Sequence, residues 1–373
     1  MHNHDNSLIK ACIKCWKRNG IKKPQKERVV NEEQCQICFG AFLEIEKIAE
    51  RIIEEIKTVP EATTFSIGTS IPKKSEDLEE RIWDEIDIKN ARSIKPLLNN
   101  ELRKIIEKKT KYKFKPDPDV RIIYRINDGS ITKQITSVYL YGRYNKYKRG
   151  IRQTKKIDSG EESVEGLIEE VILNIVGGDK VILHGAGRED IDVLMLGDGR
   201  PVVIEIVNPR KRNFSSEDLK RISDEINKKQ NGKIKITLIN KVNKEMVEII
   251  KRVKFDKVYE AFITLDKEIE KEDLEKIPKQ IVIMQRTPKR VLVRRSDLIR
   301  KRKIKSINLE IHENNKKLIK AIIVAQSGTY IKEFISGDNG RTNPSISSLL
   351  GRKAECKELN VIKIKHEWFD DFF

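Results

Sequence analysis

Cysteine is scarce here, with 5 residues in 373. That is too few for a disulfide scaffold and fits a compartment in which thiols stay reduced. Long apolar runs are missing too. No stretch approaches the ~20 residues that a membrane helix needs. The opening residues, MHNHDNSLIK, hold no apolar segment of the signal-peptide kind. Glycine numbers 19 and follows no short period, which excludes a collagen-like fibre. No internal repeat or low-complexity tract is visible. The expectation is a cytoplasmic protein with no membrane segment. At about 150 residues per domain, two or three domains are expected. The hydrophobic share of 38% is enough to build cores.

What is abundant is charge, at 36% of residues. Lys plus Arg number 76 and Asp plus Glu 58, for a net charge of +18. Solvated ion-pair networks, as in heat-adapted proteins, account for many charges of both signs but not for the surplus. The surplus favours a polyanion, and nucleic acid is the expected partner. Three basic stretches support this. Residues 143–156 interleave seven basic side chains with Tyr144 and Tyr147, a pattern suited to phosphates and unpaired bases. Residues 286–303 carry nine Lys or Arg, and Arg210, Lys211 and Arg212 form the third.

Hydrophobic periodicity sketches the elements. Residues 41–59 place Phe42, Ile45, Ile48, Ala49, Ile52, Ile53 and Ile56 on one helical face. Residues 63–67 read as a strand and 99–109 as a helix. Strands at 120–126 and 131–141 are expected around an Asn127-Asp128-Gly129 turn. Residues 155–163 are polar and read as a linker. Beyond them, helices are expected at 164–175, 216–228 and 243–253. Strands are expected at 180–183, 191–196, 201–207, 233–239, 257–265, 280–285 and 318–325, around one continuous core.

Four of the cysteines form two pairs, Cys12/Cys15 and Cys35/Cys38, in the pattern C-x2-C-x19-C-x2-C. Redox pairs or an iron–sulfur cluster use similar turns. The spacing favours a closed, structural zinc site with four thiolate ligands. His2 and His4 are weaker ligand candidates, and Cys356 reads as an incidental thiol.

The densest chemistry lies at 184–197, where Arg188, Glu189, Asp190 and Asp192 follow a glycine-rich turn. A solvent-facing turn and strand would explain these residues without function. Asp192 with Glu205 also matches part of a Mg²⁺-dependent nuclease core, but Val207 stands where that core needs Lys. A single nucleophilic Asp beside a cation is the other reading. A non-catalytic zinc-containing RNA-binding protein is the third.

The stretch 184–201, HGAGREDIDVLMLGDGRP, resembles the active-site signature of an archaeal and eukaryotic family of tRNA pseudouridine synthases. Residues 142–154, 163–168, 328–334, 337–345 and Leu349-Leu350 resemble further motifs of that family in the same order. The resemblance implies an α+β protein. Residues 1–40 would be a zinc-binding module and 41–154 a THUMP-like RNA-binding domain. Residues 155–373 would form a catalytic domain with a mixed, largely antiparallel sheet. It implies isomerisation of tRNA T-loop uridine 54, 55 or both: the base is flipped out, freed from C1′ and rejoined through C5. Asp190 would be the nucleophile and Lys332 its cationic partner. Tyr259 would stack on the base. Tyr330, Ile331, Arg188, Leu349 and Leu350 would complete the pocket. No catalytic cofactor is implied; zinc would be structural, tRNA the partner and the protein a monomer.

Overall fold

Isoleucines spaced three and four apart do make one helical face. The helix Ile45–Lys57 buries Ile48, Ala49, Ile52, Ile53 and Ile56 and exposes its Glu and Lys residues. The structure, a computed structural model, describes residues 9–86, 88–156 and 160–365. His2 and His4 lie outside them. The chain forms two compact units: Met1–Ser137 with Asn208–Asn213, and Val138–Val207 with Phe214–Phe373.

The first unit holds a sheet of strands β1 (Thr64–Ser70), β2 (Lys113–Phe114), β3 (Val120–Arg125) and β4 (Ile131–Ile135). Their order is β2-β1-β3-β4. β1 runs parallel to both neighbours, while β3 and β4 are antiparallel around the expected turn, where Gly129 has φ 68°. The helix Ile94–Lys109 packs on β1 and on Ile45–Lys57. It begins earlier than its apolar pattern suggests because Ser93 caps it by accepting from the Lys95 amide. Phe65, Leu98, Leu102, Ile106, Val120 and Ile122 close the core, and the four paired cysteines belong to the same buried cluster.

The second unit is built on one mixed sheet. Its strands are β5 (Val138–Lys146), β6 (Lys180–Gly185), β7 (Leu194–Val207), β8 (Ile234–Val242), β9 (Lys257–Leu265), β10 (Ile281–Arg286), β11 (Ile299–His312), β12 (Asn315–Ala325), β13 (Thr342–Asn343) and β14 (Ala354–Ile364). The order is β13-β10-β11-β12-β9-β14-β7-β5-β8, with β6 also on β7. Among the described strands of this sheet only β14–β7 pairs in parallel, so the sheet is largely antiparallel as expected. Helices Val164–Val176 and Ser216–Gln230 pack together, each opened by a serine cap.

Several expectations need correction. Residues 131–141 are not one strand: β4 ends at Ile135 and β5 starts at Val138, in the other sheet. Thr136 turns the chain by bonding back to Asp119 and Pro118. Residues 191–196 and 201–207 are not two strands either. β7 runs through, and residues 196–199 bulge out opposite Asn145. Gly197 is required there, because a Cβ would fall 2.1 Å from the Ile362 carbonyl oxygen. Strands β11 and β14 were not anticipated. The basic 286–303 stretch ends in β11, whose residues 300–303 hold four of its nine Lys or Arg.

Candidate active site

The acidic stretch is a loop, not a strand. Asp190 and Asp192 lie between β6 and β7, where the Asp190 carbonyl accepts from the Val193 amide in a turn. A buried ionic scaffold holds this loop from behind. Glu189 is 7% exposed and Arg200, on β7, 1%. Arg200 Nε donates to Glu189 at 2.9 Å, and its Nη1 donates to the Ala186 carbonyl at 2.8 Å. Tyr144 Oη donates to Glu189 at 2.8 Å and accepts from Gln153 at 2.9 Å. Lys146 Nζ donates to the carbonyls of Ile151, at 2.8 Å, and Asp190, at 3.1 Å. Burial pulls the Lys146 pKa down, partly offset by Glu189. For Arg200, burial alone would lower the pKa, but the Glu189 charge wins and raises it. These contacts fix the backbone that presents Asp190. Gly187, with φ 85°, makes the bend before it.

Asp190 faces two cations. Arg290 Nη1 lies 3.0 Å from each carboxylate oxygen, and Lys332 Nζ lies 3.6 Å from Oδ2. Arg290 also grips Glu333, with Nε to Oε1 at 2.6 Å and Nη2 to Oε2 at 3.3 Å. Burial would lower the pKa of Arg290, but Glu333 and Asp190 raise it on balance. Lys332 bonds Asp192 more closely, at 2.7 and 2.8 Å. Burial would raise the Asp192 pKa, yet the Lys332 bond leaves it lowered.

Asp190 lies in the wall of a cavity of about 290 Å³. Its lining holds eight Lys or Arg side chains against Glu189 and Asp190, so it favours an anionic ligand. Tyr259 and Tyr330 add aromatic surface. Burial pushes the Tyr259 hydroxyl up to about 12, so it stays protonated at neutral pH. A planar, uncharged group beside phosphates is the chemistry this wall suits.

The paired cysteines meet in the first unit. Their four sulfurs lie within 4.8 Å of one another and all four residues are buried. Cys12 and Cys38 sulfurs are 3.7 Å apart, and those of Cys15 and Cys35 are 3.8 Å apart. Such a cluster can bind a structural metal, with no ligand position left facing solvent.

A family model described as "Pus10, C-terminal" matches residues 139–365, and "Pus10 THUMP domain, archaeal" matches 48–125. The chain is 39% identical to the tRNA pseudouridine synthase Pus10 of Pyrococcus furiosus, over 89% of this chain and 84% of that one. It is 36% identical to the protein of the same name from Methanothrix thermoacetophila, over 96% of this chain and 81% of the other. The chain belongs to the Pus10 family. A crystal structure of a Cbf5-Nop10-Gar1 complex is also similar, with 17% identity, coverage of 60% of this chain and 48% of that one, and a TM-score of 0.34.

The Pus10 C-terminal match contains every residue around Asp190 named above. Asp190, Lys332, Tyr259, Tyr330, Ile331 and Arg188 come together on the cavity. Leu349 and Leu350 do not line it; they pack into the second unit's core. Asp192 and Glu205 engage different partners. Asp192 pairs with Lys332, whereas Glu205 contacts His184 at 2.9 Å and accepts from Tyr139 at 3.3 Å. Tyr144 and Lys146 are buried, so they cannot meet RNA as the basic 143–156 stretch suggested. Arg212 is likewise buried, bonded to Asp119 at 3.1 Å. Cys356 is half-buried, and burial pushes its thiol up to about 11.

Sequence reasoning missed Arg290, Arg200 and Gln285. Gln285 is 2% exposed and holds both the Tyr330 amide, at 2.8 Å, and the Tyr330 carbonyl, at 2.9 Å. The Glu189–Arg200 pair gives a stability prediction for this Pus10 chain. Arg200→Met should destabilise the second unit by about 3–5 kcal/mol, because it strands a buried carboxylate. Thermal or urea unfolding measures this. A variant as stable as the parent would mean the pair does not hold the loop.

Proposed function

We propose that this chain is a tRNA pseudouridine synthase acting on T-loop uridine 54, 55 or both, with Asp190 as the nucleophilic carboxylate. The observation that carries the reading is one carboxylate, flanked by Arg290 and Lys332, in a cation-lined cavity with Tyr259 and Tyr330. The reaction rearranges uridine without adding or removing atoms, so it needs no redox or group-donating cofactor. The reacting atoms of a stacked base are inaccessible, so the uridine must be flipped into the cavity. Arg295, Arg300 and Arg302 would neutralise the flanking phosphates. Tyr259 would stack on the flipped base, and Asp190 would meet C1′ as the N1–C1′ bond breaks. Arg188, Tyr330 and Ile331 would hold the nucleotide.

The first unit would grip the tRNA through its THUMP region. Its cysteine cluster would hold zinc. A tetrahedral site with Zn–S of about 2.3 Å has sulfurs ~3.8 Å apart, which fits the distances above. The reduced cysteines and the tRNA substrate support a cytoplasmic location. No described helix is long and apolar enough to cross a membrane.

Incubation with an unmodified tRNA transcript in EDTA tests the reading. Carbodiimide labelling and primer extension should give new stops in the T-loop. Intact RNA with no new stop, although the protein binds it, would leave a binding protein in place of an enzyme.

A further inference from the structure

Lys257 opens β9 and lines the Asp190 cavity two residues before Tyr259. Residues two apart on a strand share a face, so both side chains serve the same wall. Lys257 is 8% exposed. An ammonium has three donors. Among the described residues, Nζ makes one long bond, to the Phe255 carbonyl at 3.3 Å. The charges facing it are Arg200 on β7, Glu189 on the loop and Asp256 beside it. Glu189 is already held by Arg200 and Tyr144, and Asp256 by Lys305. Its strand neighbours Ala325 and Ile364 bring no charge. Gly187 leaves room in front of it: a Cβ there would stand 3.8 Å from Nζ. A buried cation with unspent donors is costly, and at the wall of a reactive cavity it calls for a ligand that completes it.

We propose that Lys257 is a catalytic residue whose ammonium donates to the carbonyl oxygens of the flipped uracil and stabilises the negative charge that the departing base acquires. The inference rests on the pseudouridine synthase reading. The N1–C1′ bond breaks heterolytically, and its electron pair stays on the base, spread over N1, O2 and O4. C1′ is left electron-poor and faces the Asp190 carboxylate. No proton moves in that step. The bond to C1′ then re-forms at C5, which loses its proton as N1 gains one. The base is neutral in the substrate and anionic after cleavage, so a fixed cation favours the transition state over the ground state. Burial first, and Arg200 second, lower the Lys257 pKa to about 8. The active form is the protonated one, so its contribution is lost as pH rises through that value.

The test compares wild type, Lys257→Met and Lys257→Arg on an unmodified tRNA transcript in EDTA. Lys257→Met should lose about 100-fold in kcat while KM and tRNA affinity stay within about threefold. Lys257→Arg keeps a cation that does not titrate in this range. It should retain activity within about tenfold of wild type, and its rate should not fall near pH 8 as the wild type's does. Unchanged kcat in the Met variant, or a loss confined to KM, overturns the proposal. So does a Lys257→Arg profile that falls where wild type falls. If the Met variant does not fold, the Arg profile decides alone. Wild type that forms no pseudouridine overturns the underlying reading instead, a result distinct from all of these.

Discussion

Asp190→Asn should abolish pseudouridine formation and leave tRNA binding in place. Asparagine matches the carboxylate in shape but cannot act as an anionic nucleophile or base. Loss of a nucleophile costs at least about 1,000-fold in rate. Binding should survive because the cavity loses a negative charge and keeps its eight Lys or Arg side chains. Arg290 retains Glu333 and Lys332 retains Asp192, so neither cation is left without a partner. The fold should hold as well, since the Asp190 side chain is 38% exposed and the buried scaffold runs through Glu189. Primer extension after carbodiimide labelling reads the product, and gel shift or fluorescence anisotropy reads binding. A fully active variant would remove Asp190 from the reaction. A variant that fails to bind would mean that the carboxylate is structural.

How much of this was legible follows from the range of the interactions. The helix at Ile45–Lys57 shows in sequence because its isoleucines repeat with the helical period. The cysteine cluster shows because two short turns with a fixed spacing carry all four ligands. Asp190 and Lys332 come from ordered motifs, and their separation of 142 positions is bridged only by the fold. Arg290 could not be singled out, being one of nine basic residues in its stretch, with partners in two other segments. β11 was hidden because its outward face is charged, which reads as a basic loop. Tyr144 misled for the opposite reason. It sits among basic residues in sequence, yet its ring is buried and its hydroxyl serves Glu189. Burial raises that hydroxyl's pKa well above the usual range.

Cys12→Ser or Cys35→Ser should strip the metal and unfold the first unit while sparing the chemistry of the second. The cysteines are at most 1% exposed and share a hydrophobic cluster with Trp16, Ile37 and Ile52. Buried sulfurs in mutual contact are stable as metal ligands. Without the ion they leave poorly paired polar atoms in a core. Structural zinc contributes about 10–16 kcal/mol to folding in small zinc modules, more than a domain of this size has in reserve. Three ligands and a serine should therefore not hold the module. Zinc content by atomic absorption should fall from about one per chain to near zero, and the unfolding transition of the first unit should disappear. Affinity for tRNA should drop, raising KM. The kcat at saturating tRNA should fall much less, because the Asp190 loop rests on Glu189 and Arg200 within the other unit. Unchanged zinc content would sink the assignment of these ligands. Equal loss of kcat and affinity would show instead that the first unit takes part in assembling the reactive cavity.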